Sequence, residues 1–138
     1  MSPAAAAPGM TGFSGSRFLL DLLGRNPPAA LERLHEQVEW TVPGDLRFGG
    51  GVHRGRDAVL EFFASVQDLF PAGLRVDAQR EWPGPNGCVV EAVLVGETST
   101  GKAYRNRYAF VFEEDGGQVR RVREYTDTAY AEAILQRP

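Results

Sequence analysis

The chain has 138 residues, enough for one domain with its own core and little besides. At 43% hydrophobic, 24% charged and 10% aromatic it is too apolar for a disordered chain, and its single cysteine excludes a disulfide scaffold. The 15 Lys+Arg and 18 Asp+Glu give a net charge of -3, which provides no general pull toward nucleic acid or an anionic membrane.

The first fifteen residues are rich in Ala, Pro, Gly and Ser, and read as a flexible tail (1–15) ahead of a single domain (16–138). Met1-Ser2-Pro3-Ala4 lacks the basic segment of a secretory signal, and no run approaches the roughly 20 apolar residues of a membrane helix. With the lone Cys88, this favours a cytoplasmic setting. Phe18, Leu19, Leu22 and Leu23 recur at helical spacing, and Gly24 stops that helix. Asn26-Pro27 reads as the cap and first turn of a second helix through Ala30, Leu31 and Leu34. Gln37 to Val42 alternates, with Val38, Trp40 and Val42 on one face, and Pro43-Gly44 ends it.

Arg47 to Gly55, with four glycines, is expected to be a loop. A third helix from Arg56 to Phe70 carries the apolar stripe Val59, Phe62, Phe63, Val66, Leu69 and Phe70, closed by Pro71. Thereafter the period is two. Leu74–Trp82, Cys88–Glu97, Lys102–Glu114 and Gln118–Tyr125 are four predicted strands, separated by Gly-, Pro- and Asn-rich turns. A last helix spans Thr128–Gln136. Helices followed by hairpin-linked strands predict an α+β fold in which helices close a curved antiparallel sheet around a pocket.

Cofactor and metal motifs are missing. His35 and His53 are not in ligand spacing, Gly49-Gly50-Gly51 is no dinucleotide fingerprint, and neither a phosphate loop nor a Gly-x-Ser-x-Gly elbow occurs. No cofactor and no metal are therefore expected. Cys88, beside Val89 and Val90, reads as a buried filler thiol, and Glu91 as an outward-facing charge.

The candidate chemistry lies in polar residues on apolar strand faces. Tyr104, Asn106, Tyr108, Phe110 and Phe112 share a face, with Arg105 and Arg107 opposite. Asn106 and Tyr108 either satisfy one another's neighbours internally or meet a ligand. Glu124 shares the apolar face with Val122, opposite Arg121 and Arg123. Asp127, at the strand-to-helix junction, is either the cap of the last helix or a carboxylate at the mouth of a cavity. Carboxylates in such places have raised pKa values that suit proton transfer. Trp40 fills the core or lines the pocket, and His53 is a surface residue or a ligand contact.

The order Trp40-x-x-Pro43-Gly44, Gly51 and Gly55 before Phe62-Phe63, Asn106-x-Tyr108, Asp115-Gly116 and Glu124-Tyr125-x-Asp127 resembles the SnoaL-like branch of the nuclear transport factor 2-like (NTF2-like) superfamily. That resemblance implies a cone-shaped fold around a deep pocket, and an acid–base enzyme of the polyketide cyclase or isomerase type. It further implies a homodimer, with a small apolar substrate and neither nucleic acid nor membrane as partner. It places the acid–base residue at Asp127 or Glu124, near the end of the last strand. Asn106 and His53 join these as catalytic candidates, and Trp40, Phe62, Tyr108 and Phe110 as substrate contacts. The Arg-x-Asp pair of limonene-type epoxide hydrolases is replaced by Arg105-x-Arg107, and Asp45 matches the ketosteroid isomerase base poorly. A non-catalytic ligand-binding module and an epoxide-opening cyclase or hydrolase remain the alternatives.

Overall fold

The computed structural model describes residues 12–44 and 46–135. Asp45, Gln136 and residues 1–11 of the expected tail lie outside the described residues. Helix α1 (Gly15–Leu20) is capped by Ser14, whose hydroxyl accepts the Arg17 N–H at 3.2 Å. A kinked turn (Asp21–Arg25) with non-helical backbone at Leu23 and Gly24 follows, and Gly24 supplies its φ of 139°, which a side chain would strain. Helix α2 (Pro27–Glu32) starts as predicted, with the Asn26 side chain accepting the Ala29 N–H and Pro27 in the first turn.

The strands are β1 (Leu34–Val42), β2 (Gly51–Arg54), β3 (Arg75–Gly84), β4 (Gly87–Glu97), β5 (Ala103–Asp115) and β6 (Gln118–Thr126). Helix α3 (Arg56–Leu69) lies between β2 and β3, and α4 (Thr128–Leu135) ends the described chain. One sheet has the order β2-β1-β6-β5-β4-β3. Every pair is antiparallel except β1 with β6, which run parallel. Register shifts in the β1–β6, β3–β4 and β5–β6 ladders are of the kind that bend strands and increase twist.

Four expectations need correction. The sheet is mixed, because the chain returns after four strands to lay β6 beside β1. The second helix stops at Glu32, since the Arg33 carbonyl accepts the Val119 N–H at 2.7 Å and Leu34 already pairs with Val119. The glycine-rich loop contains an edge strand, β2, bracketed by the positive φ of Gly51 and Gly55. Phe13, placed in the tail, is only 6% exposed and packs on Phe112 at 5.6 Å.

The core sits between the concave face of the sheet and the helices. Phe18, Leu19, Leu34, Val38, Trp40, Val59, Val90, Phe112, Val119 and Val122 are among its most deeply buried members. Each large apolar side chain removed from water contributes about 1.5–3 kcal/mol. Cys88 lies among them, and burial pushes its thiol up to about 11, as befits a filler. The convex face carries Arg105, Arg107, Arg121 and Arg123, with Trp82 and Tyr125 about half exposed. Among the described residues, no helix is long and apolar enough to cross a membrane.

Candidate active site

A cavity of about 550 Å³ lies between the concave sheet face and helices α1 to α4. It is within the range of small-molecule sites. Its walls are mostly apolar. Leu22 and Leu31 close it from the N-terminal helices, Phe62 and Phe63 from α3, and Ala131 and Leu135 from α4. From the sheet come Trp40, Tyr104, Tyr108, Phe110 and Glu124.

Glu124 is the one ionisable carboxyl bordering this space among the described residues. Alternation along β6 puts it inward with Val122 and Thr126, while Arg123 and Tyr125 point outward. Glu124 is partly buried and borders the cavity. Burial disfavours its charged form and raises its pKa from 4.5 to about 7. The Trp40 indole N–H, 2.8 Å from Oε1, partly opposes that rise. No protein donor reaches the other oxygen among the described residues.

Asp127 is elsewhere. Its Oδ1 accepts the Tyr130 N–H at 3.0 Å, which caps α4, and the exposed carboxylate does not border the cavity. Of its two open readings, the geometry fits the cap. Asn106 is 4% exposed and lies behind the cavity wall. It donates to Tyr104 Oη at 3.0 Å and to the Asp127 carbonyl at 3.1 Å, and accepts the Arg107 N–H at 2.8 Å.

His53 also lies outside the cavity. Its ring stacks on Phe62 at 4.4 Å, with Nε2 2.9 Å from the Gly49 carbonyl, so it braces the glycine-rich segment. Gly49 has φ 77°, and a Cβ there would sit 2.7 Å from the Phe62 ring. Trp40, Phe62, Tyr108 and Phe110 all border the cavity, and Trp40 also fills the core at 2% exposure.

Two features escaped the sequence. Tyr104, seen only as part of the aromatic face, places its hydroxyl 2.7 Å from that of Tyr108. Burial raises the pKa of both phenols, so both remain protonated at neutral pH. Trp40 proved to be a donor to Glu124, and no spacing signals that bond because 84 residues separate the pair. Among the described residues no group of three or more His, Cys, Asp or Glu is placed to hold a metal ion. The arrangement combines one proton acceptor with neutral hydrogen-bond donors in an apolar chamber, which suits acid–base chemistry on an uncharged molecule.

A family model described as the SnoaL-like domain matches residues 16–122. No curated protein matches the chain in sequence. Among solved structures, an NTF2-like protein from Anabaena variabilis is 27% identical with a TM-score of 0.71, covering 82% of this chain and 84% of that one. A phenazine biosynthesis-related protein from Pseudomonas aeruginosa is 21% identical with a TM-score of 0.74, covering 89% and 82%. TerC, co-crystallised with polyporic acid, is 22% identical with a TM-score of 0.72, covering 86% and 92%. These likenesses establish a cone-shaped NTF2-like fold.

Proposed function

The chain belongs to the SnoaL-like family, and from that premise we propose that it is a cofactor-independent acid–base enzyme acting on a small, apolar, carbonyl-bearing substrate. One observation carries the reading: among the described residues a single carboxyl, Glu124, borders an aromatic cavity, with its pKa raised to about 7 and one oxygen that no described protein donor reaches. A base with that pKa is half ionised at neutral pH, close to the optimum for proton transfer. The proton-transfer role therefore goes to Glu124 and not to Asp127, whose carboxylate is occupied by α4.

Ionised Glu124 takes a proton from the carbon beside the substrate carbonyl, leaving an enolate whose oxygen accepts a hydrogen bond from the phenols. Protonated Glu124 then returns the proton to a different carbon, which isomerises the substrate. Alternatively the enolate carbon attacks a second carbonyl carbon of the same molecule, whose C=O π bond opens to an alkoxide that takes the proton back from Glu124, which closes a ring. The phenazine-related neighbour and the neighbour crystallised with polyporic acid support a small organic occupant.

The test is deuterium exchange at the carbon beside the carbonyl of 2-tetralone, followed by NMR above the buffer rate. Glu124→Gln is expected to lower the protein-dependent rate about 10²–10⁴-fold, the range of a positioned base. Equal exchange by both proteins removes Glu124 as the base. Absence of any protein-dependent exchange favours the ligand-binding module.

A further inference from the structure

Among the described residues no charged side chain other than Glu124 borders the cavity. From β1 comes the Trp40 indole, a donor that does not titrate, and from β5 come the Tyr104 and Tyr108 phenols, which burial keeps protonated. The helices contribute apolar residues and one amide, Gln67, whose Nε2 donates to the Pro71 carbonyl at 2.8 Å. The charged groups that flank the site are turned elsewhere: Arg123 to Glu113, Asp127 to the start of α4, and Glu132 to the Arg47 N–H. The rise in the Glu124 pKa accordingly has burial as its cause and the indole as its brake, with no contribution from a neighbouring charge.

Solvent still has access to the carboxyl. Oε1 holds the indole N–H, while Oε2 has no donor among the described residues. Oε2 is not one of the fully enclosed side-chain oxygens that lack a partner, which are Gln79 Oε1 and Glu132 Oε2. The cavity in turn reaches the surface of α3, where Leu60, Ala64 and Gln67 border it and are exposed. Access of water to Oε2 is therefore the second support of the ionised form, beside the indole.

An apolar ligand in this space removes that support and offers nothing in return. The indole bond is the same with or without it, and no cation in the wall can balance the stranded charge. A protonated carboxyl loses far less on the same event, so occupancy favours protonation. Linkage makes the effect reciprocal, and protonation favours occupancy to the same extent.

We infer that the cavity takes up an uncharged, apolar ligand together with one proton, which Glu124 carries, so that the ligand is held in mildly acidic solution and released as the pH rises. The inference rests on the cavity being the ligand site, as proposed above, but not on Glu124 being the base. Its sign follows from the unoccupied carboxyl, whose pKa is about 7. Below that value both forms of the protein are protonated and affinity is constant. Above it the free protein ionises first, and affinity falls until the occupied carboxyl ionises as well.

The probe is pyrene, a hydrocarbon that carries no charge at any pH and has no oxygen or nitrogen to accept a hydrogen bond. Its fluorescence is titrated with the full chain from pH 6 to 8.5, with circular dichroism to confirm the fold at each pH. Binding is expected to be at least about fivefold weaker at pH 8.5 than at pH 6, since each unit by which occupancy raises the pKa is worth up to about tenfold in affinity. Glu124→Gln, in which the amide oxygen can still accept the Trp40 N–H, should bind pyrene equally at both pH values. Glu113→Gln, on the convex face, should keep the full pH dependence.

Equal affinity at both pH values in the unaltered protein, tighter binding at pH 8.5, or no binding at either overturns the proposal, and none of these readings depends on a variant. A pH dependence that survives Glu124→Gln, or is lost in Glu113→Gln, overturns the assignment of the proton. Exchange of 2-tetralone separates this inference from the proposed reaction. Exchange slowed by Glu124→Gln with pH-independent pyrene binding refutes the proton linkage alone, whereas pH-dependent binding with exchange unchanged refutes the base alone.

Discussion

Glu113 and Glu124 occupy opposite faces of the same curved sheet, and comparing them shows how environment sets the chemistry of one residue type. On the convex face, Glu113 stands opposite Arg121 and pairs with Arg121 and Arg123. Nearby Glu39 is within 4 Å of Arg54, Arg120 and Arg121. There the hydrogen bond from Arg123 to Glu113 raises the pKa of the Arg123 guanidinium. On the concave face Glu124 has an indole N–H and apolar walls, and its pKa rises to about 7. Arg123 and Glu124 are sequence neighbours, so the one-residue alternation of a strand separates a solvated ion-pair lattice from a candidate base.

The sharpest way to test that contrast is the pH dependence of 2-tetralone exchange. The rate is expected to rise with a midpoint near pH 7 and, below it, to fall about tenfold per pH unit, as the ionised fraction of Glu124 does. A flat profile from pH 5 to 8 contradicts the raised pKa.

Stability is expected to run the other way. A carboxyl whose folded pKa lies above its unfolded value favours the fold while protonated, and this contribution is lost as pH rises from about 4.5 through about 7. The loss amounts to about 3 kcal/mol at most. Denaturant titrations at pH 4.5 and 8 should show it, and Glu124→Gln should flatten the difference.

Trp40→Phe removes the only protein donor to the Glu124 carboxylate among the described residues. It should move the exchange midpoint upward by roughly one unit, the effect of one hydrogen bond to a charged group. A midpoint that stays in place or falls denies the indole this role. The smallest effect is expected on the other face. Glu113→Gln should change stability by less than about 1 kcal/mol, with even that difference fading in high salt. A larger cost would mean that the convex lattice is structural after all.

Much of the framework was legible because it is local. Asn26-Pro27 starts α2, the stripe from Val59 to Leu69 defines α3, and alternation marks β3 to β6 and puts Glu124 and Tyr108 inward. Where local signals met long-range pairing, pairing prevailed. Leu34 fitted the helical pattern, yet its bond partner across the fold is a strand, so the helix yields. The glycines around β2 hid a strand because its pairing with β1 supplies what its own composition does not.

By itself, then, the sequence determined the class of fold, the order of its elements other than β2, and the inward set from which any site must be drawn. Periodicity and turn chemistry act over a few residues, and one chain is enough to read them. Tertiary structure alone decided which of those polar groups do what. It set β6 beside β1, gave Glu124 the Trp40 indole, committed Asp127 to α4, and turned Asn106 from the cavity to the phenols. A carboxyl's pKa and a proton's direction depend on neighbours brought from as far as 84 residues away, and the spacing along the chain does not encode them.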